Sequence, residues 1–483
     1  MEEKNFLKHF AVIGGGTFAN MLLGLLTTPI ITRIVDPEEY GQLSIFTLYS
    51  GIMLMVLCLG LDQALVRYYY EKDSEGYKRA LLLKCIKLPV VISLLVSIVF
   101  ICLSAFNVIQ FEFDTLVISL LCIYTIIQLI YRFSLLLVRL AYKSKLYSKL
   151  NILNKLTYIV VALPLVYFIG HDYLLMLIIA TMASGFVCMI WSMFAQRSLW
   201  DLKNVDSSEC YISGKELLRY GYPFIISMGV TTLFQAIDRI FLSIYSTYSE
   251  VGIYSSTMTL VNIFAIVQTT FNTLWTPMSV QHYTKDKDDR SFYQKGNQII
   301  TIVMFFIGLT LILGKDIFAI LLGEKYRAAA YILPFLIFNP IMLTISETTV
   351  SGLVFLKKSK LQVVVAVGAC ITNIIGNTLL VPKFGSQGAA ISTGLSYIVF
   401  FTLRTVLSNK FFYVNYRLKA FYLMTAVTAI YALYNTFIDF NIGSVIGYVI
   451  CITMLVALYW NEVKWGINYL LNTGKALLKR KGN

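Results

Sequence analysis

Six charged residues stand where charge is expensive. Asp62, Arg67, Arg132, Asp238, Arg239 and Glu347 are each embedded in a long apolar run, and Arg33 sits at the end of another. A charged side chain at mid-membrane costs about 2.5–3.5 kcal/mol on insertion scales, so each is a candidate for function. Asp238 lies about seven residues, roughly 10 Å, from the outer end of its run. Asn373 and Asn377, one turn apart, and Thr393 fall at the same level. A carboxylate with amide and hydroxyl oxygens suits a small hard cation such as Na⁺, and the carboxylate alone suits a proton. Asn and Thr also serve as interhelical hydrogen-bond partners, so that reading stands beside the first.

Arg239 follows Asp238 directly, and adjacent side chains on a helix diverge by about 100°, so the two need separate partners. A guanidinium with no acid on its own helix suits an anionic ligand, because its fork matches phosphate. Arg132 and Glu347 are separated by about 215 residues, an interval that recurs in the chain. They are expected to face each other across a pseudo-axis, forming a salt bridge that closes an inner gate. Lining of a cavity by Arg132 and simple helix packing by Glu347 are the alternatives. Asp62 and Arg67 are further gate candidates. The tyrosines Tyr68-Tyr-Tyr70 read as an interfacial aromatic belt or as a sugar platform, and Arg33 as a phosphate contact or a snorkelling side chain.

The elements that must position these groups are membrane helices. The chain has 483 residues, 58% of them hydrophobic and 14% charged, far more apolar surface than a soluble core needs. About fourteen stretches are long enough to span a bilayer. They fall near 9–33, 42–66, 82–106, 113–138, 148–169, 173–196, 217–245, 251–278, 293–314, 328–356, 361–382, 387–408, 418–437 and 443–462. With both termini in the cytoplasm, the outer loops hold only Arg33, Lys315, Lys325, Arg327 and Lys383 of the 40 Lys and Arg residues. Arg132 and Arg239 lie inside spans, and the remainder occupy cytoplasmic loops, tails and adjoining helix ends. That bias sets the orientation. The net charge of +14 therefore serves topology and contact with anionic lipids, not nucleic acid. The eight cysteines are scattered without a CxxC pair, which indicates neither a disulfide framework nor a metal cluster. No cleavable signal peptide is evident, and no loop is long enough for a soluble catalytic domain.

The chain also repeats itself. Asp36-Pro-Glu-Glu-Tyr-Gly41 precedes one span and Thr247-Tyr-Ser-Glu-Val-Gly252 another, about 211 residues later; Leu165-Val166 with Gly170 and Leu380-Val381 with Gly385 pair similarly. Spans 1–6 and 7–12 are thus expected to be two like-oriented copies related by an axis along the membrane normal. The expected divisions are 1–197, a linker at 198–216, 217–410, and 411–483 with the last two spans and a basic cytoplasmic tail.

Three segments carry a resemblance. Pro29-Ile-Ile-Thr-Arg-Ile-Val-Asp-Pro-Glu-Glu-Tyr-Gly41 is similar to the opening of the polysaccharide-biosynthesis flippases. So are Tyr220-Gly-Tyr-Pro-Phe224 with Ile237-Asp-Arg-Ile-Phe241 and Glu250-Val-Gly-Ile-Tyr254, and Phe384-Gly-Ser-Gln-Gly-Ala-Ala390. The resemblance implies the multidrug/oligosaccharidyl-lipid/polysaccharide exporter fold: all-α, two six-helix lobes in a V, here with two further helices. It implies a non-enzymatic flippase in the bacterial cytoplasmic membrane, like the O-antigen and capsule flippases. The substrate would be an undecaprenyl-pyrophosphate-linked oligosaccharide, with membrane lipids, a glycan polymerase and assembly machinery as partners. It places Asp238, Asn373, Asn377 and Thr393 where related flippases hold a cation; with such a substrate, Arg132, Arg239 and Arg33 are the expected contacts of its diphosphate. Na⁺ or H⁺ is the expected coupling ion, with no other cofactor. A cation-coupled multidrug antiporter of the same fold and a membrane glycan polymerase are the competing functions. The chain departs from the lipid II branch in having few arginines near the start of span 1.

Overall fold

The computed structural model describes residues 3–109, 112–201, 205, 209–466 and 468, and all regular structure among them is helical. The basic tail expected after span 14 and linker positions 202–204 and 206–208 lie outside the described residues. The chain divides into two units, one formed by Met1–Ser243 and Thr247–Ser255, the other by Ile244–Ser246 and Ser256–Asn483.

The first unit contains α1 (Glu3–Thr32), α2 (Pro37–Leu57), α3 (Leu61–Tyr68), α4 (Glu75–Ala105), α5 (Thr115–Leu140), α6 (Ser144–Ile169) and α7 (Tyr173–Ala195). The short α8 (Arg197–Trp200), nearly all of α9 (Gly214–Tyr245) and the start of α10 (Tyr248–Val261) complete it. Local chemistry sets the boundaries. Pro37 opens α2 with Glu38 and Glu39 in its first turn, where a missing N–H and negative charge are both favourable. Ser74 caps α4, its Oγ accepting the Tyr77 N–H at 3.2 Å.

α9, expected to open the second copy, belongs to the first unit because it lies along α2 and α3. A Cβ at Gly221 would stand 2.7 Å from the Gly60 carbonyl oxygen, and one at Gly229 3.8 Å from Met55. Further along, Arg239 reaches Ser44. The two copies of the repeated motif meet in the same unit. A Cβ at Gly41 would fall 1.9 Å from the Tyr248 carbonyl oxygen, and one at Gly252 1.9 Å from that of Pro37. One turn on, Ser44 and Ser255 share a 2.7 Å hydroxyl hydrogen bond. The contacts are reciprocal at a constant offset of 211 residues, so the crossing is locally two-fold. Only glycine lets the backbones approach this closely.

The second unit contains the rest of α10, α11 (Ala265–Lys285), α12 (Ser291–Leu313), α13 (Lys315–Leu322), α14 (Ala329–Leu336), α15 (Phe338–Thr349), α16 (Ser351–Phe355), α17 (Ser359–Asn409), α18 (Leu418–Phe437) and α19 (Ile442–Leu458). Helix α17 runs 51 residues, but at Gly385 the backbone takes φ 52° and ψ −131°, a region open essentially to glycine alone. There the chain doubles back, bringing Ser392 against Asn373 and Gly376. Its two arms are the expected spans 361–382 and 387–408.

Every expected span is mainly helical, with span 2 broken between Leu57 and Leu61. Among the described residues ten helices are long and apolar enough to cross a membrane, or eleven if Ile442–Leu458 and Trp460–Gly466, bent by 88°, form one span. The figure falls below the expected fourteen for three reasons. The two arms of α17 count once, only Phe18–Thr32 of α1 counts as a shorter apolar helix, and α18 falls outside the criterion. The chain is a multi-pass membrane protein.

Candidate functional site

The first constellation grows from a break in span 2. After α2 ends, Leu59 and Gly60 both take positive φ (52° and 68°), and the restarted α3 carries Asp62 into the interior, 1% exposed. One carboxylate oxygen, Oδ2, accepts Arg132 Nε at 2.9 Å, Arg132 Nη2 at 2.5 Å and Gln63 Nε2 at 3.0 Å. Arg132, on α5, keeps 33% of its side chain exposed. Three donors on one oxygen, two of them charged, give a strongly held pair.

Glu347, on α15, has its own partner in the second unit. Arg404 Nη1, from α17, donates to Glu347 Oε1 at 2.8 Å and to Ser346 Oγ at 2.6 Å. The expected Arg132–Glu347 bridge is therefore not the pairing formed: each residue is satisfied by an opposite charge within its own unit. Arg67 lies in the last turn of α3, pairs with Glu71 at 3.4 Å with 54% of its side chain exposed, and stands 5.4 Å over the Tyr68 ring. Arg33 is exposed in the turn after α1.

The second constellation divides between the units. Asp238, 5% exposed, accepts the Tyr254 hydroxyl at 2.7 Å, a bond from α9 to α10 within the first unit. Arg239 diverges from it as expected and donates through Nη1 to Ser44 Oγ at 3.4 Å. Asn373, Asn377 and Thr393 converge, all buried, between the arms of α17. Asn377 Nδ2 donates to Asn373 Oδ1 at 2.9 Å, Asn373 Nδ2 reaches Thr393 Oγ1 at 3.4 Å, and Ser392 Oγ donates to the Asn373 carbonyl at 2.9 Å. Three of the four anticipated cation ligands are thus neighbours, and they use their hydrogen-bonding capacity partly on one another. No cluster of three or more His, Cys, Asp or Glu residues occurs among the described residues.

Three cations escaped the sequence reading. Lys155 and Arg404 lie well inside spans 148–169 and 387–408 and satisfy the depth criterion applied to the others; grouping cations with helix ends hid them. Lys315 carried no such signal, having been placed in an outer loop. It is fully buried, donating to the Asn435 and Ile438 carbonyls at 2.5 and 2.7 Å with the Tyr331 ring 5.0 Å away. An ammonium there neutralises the negative end of α18.

Comparison with known proteins places this arrangement in a family. The polysaccharide biosynthesis protein family matches residues 6–283. The probable low-salt glycan biosynthesis flippase Agl15 of Haloferax volcanii is 22% identical over 264 residues, and the match spans about half of each chain, 52% of both. An uncharacterised membrane protein of Methanocaldococcus jannaschii is 23% identical over 432 residues, 82% of this chain and 83% of that one. Among solved structures, the lipid II flippase MurJ in an inward closed conformation superposes with a TM-score of 0.69 at 15% identity, covering 95% of this chain and all of that one. An outward-facing multidrug-resistance transporter of the MATE family gives 0.53 at 14% identity, covering 83% and 95%. With the family match running through more than half of its length, and the helical architecture shared with both kinds of transporter, this chain belongs to the polysaccharide biosynthesis protein family.

Proposed function

We propose that this protein moves an undecaprenyl-pyrophosphate-linked oligosaccharide from the inner to the outer leaflet of a bacterial cytoplasmic membrane, by ion-coupled alternating access with both termini in the cytoplasm. The observation that carries the reading is Arg239: a guanidinium deep in a membrane helix, held by one serine hydroxyl with no acid at ion-pair distance among the described residues, in a polysaccharide-biosynthesis family member. Such a group is costly unless an anion is its ligand. A diphosphate carries the acceptors to satisfy it, whereas the organic cations of a multidrug antiporter would be repelled.

Arg132 joins Arg239 at the diphosphate when it leaves Asp62, and Arg33 receives the anion at the outer end. Exchange of Arg132 between Asp62 and substrate makes that pair a gate, with Arg67 at the interface beside it and Glu347–Arg404 as its counterpart in the second unit. The Gly41–Gly252 and Gly60–Gly221 crossings would open in turn, since one lies in the first turns of α2 and the other just beyond its last residue. Asp238 takes the coupling proton, shared with Tyr254 in the first unit, or Na⁺ is the coupling ion, with Asn373, Asn377 and Thr393 as ligands in the second. An inside-negative potential contributes about 2.3 kcal/mol per charge per 100 mV to such a cycle. The glycan polymerase and assembly machinery would take the delivered product.

The test is a deletion strain, assayed for lipid-linked oligosaccharide and surface polysaccharide, then complemented with wild-type or Asp238→Asn protein. Complete repeat units should accumulate on lipid while the polymer disappears; wild type should reverse this and Asp238→Asn should not. Single repeat units at the surface would instead indicate a polymerase, and unchanged glycan with reduced efflux of cationic dyes a drug exporter.

A further inference from the structure

Three consecutive tyrosines, Tyr68, Tyr69 and Tyr70, close α3 and enter the turn after it. Each has a different environment. Tyr69 is buried beneath the Lys78 ammonium, 5.0 Å from its ring centroid. The Tyr70 hydroxyl donates to the Leu140 carbonyl at the end of α5. Tyr68 instead meets α9. Its ring lies 5.6 Å from that of Tyr220, inclined at 69°, and Tyr220 lies 5.5 Å from Phe224, one turn further along. The backbone contact of Gly60 with Gly221 sets this register, since a Cβ on Gly60 would stand 2.0 Å from the Gly221 carbonyl oxygen.

The result is an aromatic corner between two helices of the first unit. An interfacial belt sets single rings against lipid; here the rings meet one another, and all three are half-buried. Among the described residues neither the Tyr68 nor the Tyr220 hydroxyl makes a hydrogen bond. The rim is polar, with its charges matched. Arg67 stands 5.4 Å over the Tyr68 ring and pairs with Glu71 at 3.4 Å, and Glu71 also accepts the Tyr211 hydroxyl. An acid already paired in this way offers little to an organic cation. Ring faces beside phenol hydroxyls and planar polar groups suit a neutral ring with a C–H face and a hydroxyl edge, which is a sugar.

Position points to the same occupant. Tyr68 lies six residues, some 9 Å, along α3 from Asp62, which holds Arg132. A saccharide attached to a diphosphate at Arg132 reaches these rings. We propose that Tyr68, Tyr220 and Phe224 form a sugar subsite for the saccharide nearest the diphosphate of the transported lipid. This rests on the reading of the chain as a carrier of a diphosphate-linked glycan. It adds a means of telling glycosylated lipid from bare polyprenyl diphosphate, which carries the same anionic group.

Full-length protein in lipid nanodiscs tests this, titrated with lipid-linked oligosaccharide extracted from the deletion strain and, separately, with undecaprenyl diphosphate. Wild type should bind the glycosylated lipid more tightly. Tyr68→Ala and Tyr220→Ala should each weaken that binding by about fivefold to tenfold and leave the bare diphosphate unchanged. Tyr220→Phe, which keeps the ring face, should stay within about threefold of wild type. Equal loss for both lipids, or no loss for either, would overturn the subsite and leave the carrier reading intact. So would a wild type that binds the two lipids equally. A deletion strain without accumulated lipid-linked oligosaccharide, or a wild type that binds neither lipid, would remove the carrier reading as well.

Discussion

At the scale of single residues, the intramembrane charges are governed by what it costs to leave one alone. Asp62 is 1% exposed and receives three hydrogen bonds on one oxygen. Arg132→Gln should leave a buried carboxylate without its cation and cost about 3–5 kcal/mol. The double variant Asp62→Asn with Arg132→Gln should recover most of that, because two neutral amides leave no buried charge. Thermal unfolding of purified protein, read as a double-mutant cycle, measures the coupling; additive losses would mean that the pair contributes nothing jointly. Asp62, Arg132 and Glu347 were legible in the sequence as charges needing partners, since insertion cost depends only on depth. Their partners were not. The repeat interval paired Arg132 with Glu347, but helix rotation decides which side chains meet, and it gave Arg132 to an acid 70 residues away and Glu347 to Arg404.

At the scale of elements, the decisive features are places where helices touch through their backbones. The crossing of α2 and α10 joins the two copies of a repeated motif through Gly41, Gly252 and the Ser44–Ser255 hydrogen bond. Cysteines at 44 and 255 should therefore form a disulfide under mild oxidation, as hydroxyls 2.7 Å apart place the Cβ atoms within disulfide reach. Adding Gly41→Val should suppress that crosslink, because a Cβ there overlaps the Tyr248 carbonyl. Crosslinking at equal yield in both backgrounds would show that the helices do not approach as described. The similarity of the motifs was readable from residues 36–41 and 247–252, whereas their packing on each other was not. Sequence similarity reports common backbone geometry and carries no information about which surface each copy presents. The fold-back within α17 was readable for the opposite reason: Pro382-Lys383-Phe384-Gly385 is a local turn signal, and no tertiary contact is needed to interpret it.

At the scale of the whole molecule, the membrane is the solvent that selects the fold. With no water to satisfy peptide groups, a spanning chain must be helical or a closed barrel, and this one is helical wherever regular structure is described. The charge bias among loops predicts that an impermeant maleimide on intact cells labels a cysteine at Asp172 and spares one at Asp288. The reverse pattern would invert the topology. The membrane-spanning helical class and the family were determined by the sequence alone, because each depends on composition, spacing or local motif and survives any rotation of the helices. Tertiary structure decided the rest: that α9 packs with the first unit, that Asp62 holds Arg132, that Lys315 is buried against the carbonyls of α18, and that Asn373, Asn377 and Thr393 meet between two arms of one hairpin. These depend on the azimuth and close approach of helices, which many weak contacts set collectively and no single segment encodes.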